Sequence, residues 1–335
     1  MTVRAFICGC KGLVLQPEEV AFLRAYDPWG LILFKRNVDT PAQVQALVAQ
    51  FRAVVGRADA PVLIDQEGGR VQRLGPPHWL AYPSAAQLAG TDPEANIDRV
   101  RQATRLIAHD LQLLGITVDC LPVLDVPAPG GHNVIGDRAY ASNAVQVARL
   151  GLAAAQALLA GGVLPVIKHI PGHGRADADT HLSLPIVRTP RRQLEAVDFA
   201  AFVPCRHLPL AMTAHVVYAD IDPDHPATTS RIVIEEIIRG YIGFEGLLMS
   251  DDLSMQALQG SLGERAVAAF AAGIDMALHC NGHLDEAEQV ATHSPPLQGV
   301  AAARAAAALA QIHMPQAFDP VDAAARLSVA LAAKP

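Results

Sequence analysis

Several features that would redirect the reading are missing from this chain. No apolar run reaches the roughly 18 residues that a membrane-spanning helix needs, so no membrane partner is expected. No block of lysine and arginine occurs, and a formal net charge of -7 argues against nucleic acid as a partner. No G-x-G-x-x-G turn follows the first apolar segment, which weakens a dinucleotide-binding sheet, and no H-E-x-x-H offers a helix-borne zinc site. The five cysteines (Cys8, Cys10, Cys120, Cys205 and Cys280) are odd in number and scattered, as in a protein of a reducing compartment. Cys8 and Cys120 fall within apolar segments, where a free thiol behaves as a small hydrophobe. A single residue separates Cys8 from Cys10, whereas redox and metal pairs usually leave two. The apolar piece between Arg4 and Lys11 is too short for a signal-peptide core, so a cytoplasmic location is expected. Charged residues make up only 18% of the chain against 51% hydrophobic ones, ample for a large core.

What is present is a repeated pattern. Short continuous apolar runs occur at Ala5 to Cys8, Leu31 to Phe34, Val62 to Asp65, Thr117 to Leu124, Leu164 to Lys168, Leu208 to His215, Leu247 to Asp251 and Ile274 to Leu278. Such runs suit strands buried on both faces, as in a parallel sheet covered by helices. Helical periodicity lies between them: Pro41 to Val55 repeats apolar residues at Val44, Leu47, Val48, Phe51 and Val55, and Ala144 to Leu159 does the same. Eight strand and helix units in 335 residues predict an α/β chain forming one TIM-type (β/α)8 barrel, with a doubly wound open sheet as the alternative. One catalytic domain spanning residues 1–335 is expected. The Ala-rich stretch from Val300 to Ile312 reads as a closing helix, preceded by a turn at Ser294-Pro295-Pro296-Leu297.

Three of the apolar runs end in chemistry-bearing residues. Val62-Leu63-Ile64 leads into Asp65-Gln66-Glu67-Gly68-Gly69-Arg70, and Leu247-Leu248-Met249 into Ser250-Asp251-Asp252. Leu164-Pro165-Val166-Ile167 leads into Lys168-His169-Ile170-Pro171-Gly172-His173-Gly174, followed by Asp179-Thr180-His181. Pro171 and Gly172 disfavour a helix there, so Lys168 and His169 leave the sheet and a loop follows. In barrels the C-terminal ends of strands carry the chemistry. Two groups flanking a bond, one protonating the leaving oxygen and the other attacking the anomeric carbon, are what glycoside hydrolysis demands. Asp251 or Asp252 could attack, although Asp252, standing before Leu253-Ser254-Met255, could instead cap a following helix. His181 titrates near neutrality and Asp179 could orient it; a surface histidine in a polar loop is the plain alternative.

Four motifs in one order, Asp65 to Arg73, Val134-Ile135-Gly136-Asp137-Arg138, Lys168 to His181, and Ser250 to Met255, resemble the β-N-acetylhexosaminidases of glycoside hydrolase family 3. The resemblance implies a retaining enzyme that removes terminal non-reducing β-linked N-acetylglucosamine. In that family the biological substrate is N-acetylglucosaminyl-1,6-anhydro-N-acetylmuramyl peptide from cell-wall recycling. It implies Asp251 as nucleophile, His181 as acid/base and Asp179 as its partner. Asp65, Arg73, Arg138, Lys168 and His169 would hold sugar hydroxyls. A monomer acting on a small muropeptide or chitooligosaccharide follows, with no cofactor and no metal. Ile170 stands where Phe is common in the family, Thr180 where Ser is common, and Ala139-Tyr140 where Ser-Phe is common. Gly172 and Gly174 would let the loop swing His181 in and out. His173 has no assigned role beyond a tight turn.

Two rival readings use the same residues. A metal-dependent hydrolase would take His169, His173, Asp179 and His181 as ligands, but Pro171 and Gly172 keep His169 and His173 from sharing a helix face. A non-catalytic sugar-binding barrel would have no need of both Asp251 and the Asp179–His181 pair.

Overall fold

The computed structural model describes residues 2–128, 133–176 and 184–332. Eight parallel strands close into a barrel: β1 (Arg4–Gly9), β2 (Pro28–Leu33), β3 (Val62–Ile64), β4 (Val118–Asp119), β5 (Leu164–Ile170), β6 (Leu210–Thr213), β7 (Leu247–Asp252) and β8 (Met276–His279). Each pairs with its sequence neighbours, and β8 returns to β1 through Phe6↔Ala277 and Ile7↔Leu278. The chain is therefore the TIM-type barrel that the apolar runs predict, and the open sheet is excluded by closure.

Every strand is buried on both faces because alternate residues point to different cores. Ile7, Ile32, Leu63, Val118, Val166, Leu210, Met249 and Met276 pack together inside the barrel. Phe6, Leu31, Val62, Ile167, Ala211, Leu248 and Ala277 pack outward against the helices. Each such side chain contributes about 1.5–3 kcal/mol of transfer free energy, which is why the runs are continuous rather than alternating.

Helix Pro41–Val55 has the bounds its periodicity predicts, with Thr40 accepting from the Gln43 backbone N–H at its start and Gly56 at φ 67° at its end. Helix Ala144–Ala160 is capped in the same way by Asn143. Two strand expectations shift. The run from Thr117 to Leu124 is continuous strand only at Val118–Asp119, because Pro122 has no N–H for the ladder; pairing with β5 resumes as an isolated bridge between Val123 and Lys168, and β2 begins earlier, at Pro28. The Ala-rich helix spans Gly299–Leu309 and does not close the fold, since helix Pro320–Ala332 follows it. That helix seats Ala323 and Leu327 in the core. The segment leading to it runs under the N-terminal ends of β4 and β5: the Gln316 N–H donates to Ala160 O, and Arg105 both donates to Gln316 O and lies over the Phe318 ring. Among the described residues no helix is long and apolar enough to cross a membrane. All five cysteines are buried free thiols.

Candidate active site

The period of two along a strand decides what the mouth of the barrel contains. On β3, β5 and β7 the inward positions continue from Leu63, Val166 and Met249 to Asp65, Lys168 and Asp251, so three alternate strands place their ionisable residues in one layer above the apolar lumen. On the intervening strands β2, β6 and β8 the equivalent positions are Phe34, Met212 and Cys280, which form the apolar part of the wall. Strand β5 runs further than Lys168, and its register against β6 slips between Lys168 and Ile170. As a result Lys168 and His169 both line the cavity. The cavity volume is about 170 Å³, small beside the roughly 300–1,000 Å³ of sites for drug-sized ligands.

Lys168 is the electrostatic centre. Its Nζ donates to Asp65 Oδ1 at 2.8 Å and lies 2.6 Å from Glu67 Oε1. Arg73 donates to the other Asp65 oxygen at 3.1 Å, and Arg138 grips Glu67 with two hydrogen bonds of 2.8 and 2.9 Å. Burial pushes the Asp65 carboxyl up, but Lys168 and Arg73 outweigh it and hold the group well below its ordinary range. Glu67 is likewise pushed up by burial and then held down to about 2 by Arg138 and Lys168. The two carboxylates in turn raise the Lys168 ammonium against its burial. Glu67 was not among the residues expected to hold the sugar. It stands in the Asp65-Gln66-Glu67 run, and its side chain joins Lys168 to Arg138 rather than entering solvent.

This network predicts acid lability. The folded Glu67 value lies below the roughly 4.3 of an unfolded glutamate. Its contribution is therefore fully present above that pH and is lost as pH falls toward about 2. Denaturant unfolding of wild type and Glu67→Gln across that window should show the stability difference between them shrinking with acid. A difference independent of pH would mean that the glutamate is not held ionised.

Asp251 and Asp252 separate cleanly. Asp252 accepts from the Ser254 N–H at 3.0 Å, the Ser254 hydroxyl at 2.7 Å and the Cys280 N–H at 3.2 Å. It closes a turn and caps no helix; the next helix, Leu262–Ala272, is capped by Ser261. Asp251 Oδ1 accepts only the Asp252 N–H, at 2.8 Å, among the described residues, and the carboxylate lines the cavity. Burial pushes Asp251 up, but His215, His169, the Asp252 N–H and Lys168 together hold it below its ordinary value. His215 itself is wholly buried, bonded through Nδ1 to Thr228 Oγ1 at 2.7 Å and through Nε2 to the Asp252 carbonyl at 3.0 Å.

His169 Nδ1 lies 2.6 Å from Asp125 Oδ2, and Asp125 Oδ1 accepts the His173 N–H at 2.6 Å. The run through Val123 and Leu124 points to Asp125 by the same rule that selects Asp65 and Asp251, but Pro122 interrupts the strand before it. His173 is buried and lines the cavity, with burial and His169 depressing its ring to about 4. Gly172 and Gly174, expected to let the loop swing, both sit in close packing. Gly172 O accepts the Tyr218 hydroxyl at 2.6 Å, and a Cβ at Gly174 would collide with Val126 O. Asp179 and His181 lie outside the described residues. Asp65, Arg73, Arg138, Lys168, His169 and Asp251 all come together around the one cavity. Among the described residues no three His, Cys, Asp or Glu side chains converge as a metal site.

The family model for the glycosyl hydrolase family 3 N-terminal domain matches residues 12–317. A β-hexosaminidase of Tolumonas auensis is 38% identical over 284 residues, covering 81% of this chain and 81% of its own. One of Alkalilimnicola ehrlichii is 38% identical over 310 residues, covering 88% of this chain and 85% of its own. Among solved structures, NagZ from Neisseria gonorrhoeae in complex with N-trifluoroacetyl-D-glucosamine superposes with a TM-score of 0.85 at 31% identity, covering 99% of this chain and 97% of that one. Such matches, made over most of the length on both sides and to a barrel whose mouth carries this layer of charge, define the chain as a glycoside hydrolase belonging to glycosyl hydrolase family 3.

Proposed function

We propose that this glycoside hydrolase is a retaining β-N-acetylglucosaminidase that works as one catalytic domain, with Asp251 as nucleophile and His181 as acid/base. Asp251 would attack the anomeric carbon and form a glycosyl-enzyme while the leaving oxygen takes a proton. Water, deprotonated by the same base, would then release the sugar. Asp65, Arg73, Arg138, Lys168 and His169 would hold the hydroxyls of one terminal ring, in keeping with a cavity of about 170 Å³ and with the N-acylated glucosamine bound by the gonococcal relative.

The observation that carries the reading is the company the cavity carboxylates keep. Lys168 with Arg73 and Arg138 around Asp65 and Glu67, and His215 and His169 beside Asp251, hold all three below their ordinary range, the opposite of what a carboxylic general acid requires. Both Asp252 oxygens accept hydrogen bonds in its turn. Asp119, which burial pushes up, does not line the cavity. Among the described residues the site thus holds a carboxylate suited to attack and no carboxyl suited to give a proton, which favours a histidine as the donor. Asp179 would orient and charge it.

The test is the dependence on the leaving group. His181→Ala should lose roughly 10²- to 10⁴-fold on a natural sugar leaving group, which needs a proton. The loss in the first step should be smaller on a nitrophenyl glycoside, whose leaving group departs as an anion. Asp179→Ala should show a weaker version of the same pattern. Equal losses on both substrates, measured before deglycosylation limits the rate, would remove His181 from the acid role. The same pattern from His169→Ala would transfer that role to the His169–Asp125 pair.

We infer the substrate to be N-acetylglucosaminyl-1,6-anhydro-N-acetylmuramyl peptide met in the cytoplasm during cell-wall recycling. The five buried free thiols suit a reducing compartment. Product analysis with a purified muropeptide tests it, and a preference for chitooligosaccharides would sink it.

A further inference from the structure

Asp125 is completely buried, yet it makes no ion pair with lysine or arginine among the described residues. A buried carboxylate is costly unless its oxygens are satisfied by donors. Its donors are the His169 N–H (3.3 Å) and His173 N–H (2.6 Å), both on Oδ1, and the His169 ring through Nδ1 (2.6 Å) on Oδ2. The backbone holds it there: the Leu124 N–H donates to Lys168 O at 2.7 Å, and the Ala128 N–H to Gly174 O at 3.1 Å. The ionised oxygen facing Nδ1 accepts only, so Nδ1 carries the proton. The opposite ring nitrogen, Nε2, is then what His169 offers to the cavity it lines.

We propose that Asp125 is a positioning residue for sugar recognition, fixing the tautomer and orientation of His169 so that Nε2 meets one hydroxyl of the terminal sugar. This rests on the reading of the cavity as a sugar site and extends it to a residue that does not touch the ligand. The two backbone N–H groups on Oδ1 make the test specific. In Asp125→Asn they keep the amide oxygen on their side, which turns the NH₂ toward Nδ1. A donor there forces the imidazole into the opposite tautomer, with the proton on Nε2, while both backbone hydrogen bonds survive. An Asp→Asn change beside a catalytic histidine is known to act through this tautomer exchange in serine proteases.

The experiment measures kcat/KM for wild type, His169→Ala and Asp125→Asn on a nitrophenyl N-acetylglucosaminide and on its 3-, 4- and 6-deoxy analogues. His169→Ala identifies the hydroxyl it contacts as the one whose removal costs the variant nothing further. Asp125→Asn should lose on the order of 10- to 100-fold on the parent sugar and share that hydroxyl, the loss vanishing on the same deoxy analogue. The double variant should be no worse than His169→Ala. An Asp125→Asn loss that is equal on all four substrates, or additive to His169→Ala, would show a merely structural carboxylate and overturn the proposal. No hydroxyl dependence in His169→Ala would remove His169 from the sugar and the proposal with it. Failure of wild type to cleave any of the substrates would instead overturn the functional reading itself.

Discussion

Asp251→Asn is expected to lower turnover by on the order of 10⁴-fold or more while leaving the fold intact, since removing the proposed covalent nucleophile disables every step that depends on it. The amide is isosteric and its oxygen still accepts the one hydrogen bond the carboxylate makes among the described residues, from the Asp252 N–H. Nothing in the packing need change. Asp252→Asn should be much milder, about 1–2 kcal/mol, because its work is to accept hydrogen bonds from Ser254 and Cys280, which an amide oxygen does in part. Trapping with a slow fluorinated glycosyl donor, followed by peptide mapping, checks the assignment directly. The label belongs on Asp251, and a label on any other side chain would sink it.

Lys168→Met should be the next most damaging change, and it should act on stability and activity together. Lys168 is 2% exposed and touches both Asp65 and Glu67. Deleting its charge leaves two carboxylates crowded in a low-dielectric layer with only Arg73 and Arg138 to compensate. Breaking a buried ion network in this way costs about 3–5 kcal/mol. Loss of the sugar-hydroxyl contact proposed for Lys168 should cost about 2–4 kcal/mol more in transition-state stabilisation. Denaturant midpoints and kcat/KM measure the two effects separately. Adding Glu67→Gln to Lys168→Met should recover stability without recovering activity, because it removes an unpaired charge but supplies no ligand. Recovery of neither would mean that the lysine acts through packing alone.

How much of this was legible beforehand follows from which facts are local. Strands such as Val62–Ile64 and Leu247–Asp252 were readable because a parallel barrel buries both faces, leaving an uninterrupted apolar stretch. Strand β4 was overestimated because burial continues past Pro122 while the regular ladder is broken there: Val123 and Leu124 remain in the core and rejoin β5 as an isolated bridge at Lys168. The first-layer residues Asp65, Lys168 and Asp251 were visible as the ends of those stretches. That they form one layer depends on barrel closure, which no single segment states. Glu67 and Asp125 were missed for a related reason. Each acts through a partner distant in sequence, Arg138 for the first and His169 for the second. A carboxylate's partner cannot be read from its neighbours in the chain. Helix Pro320–Ala332 was missed because only two of its residues, Ala323 and Leu327, carry its packing.

The segment leading to that last helix lies at the end of the barrel away from the cavity, beside Gly115 to Thr117 and Gly162. Residues 311–318 cross beneath β4 and β5 and tie helix Gly299–Leu309 to helix Ile97–Leu113 through Gln316, Phe318 and Arg105. The tie connects parts of the ring that are far apart in sequence, on the face opposite the cavity. Selection can therefore adjust how firmly the ring is held without disturbing the charged layer at the other pole. The two ends of the same eight strands are free to evolve at different rates.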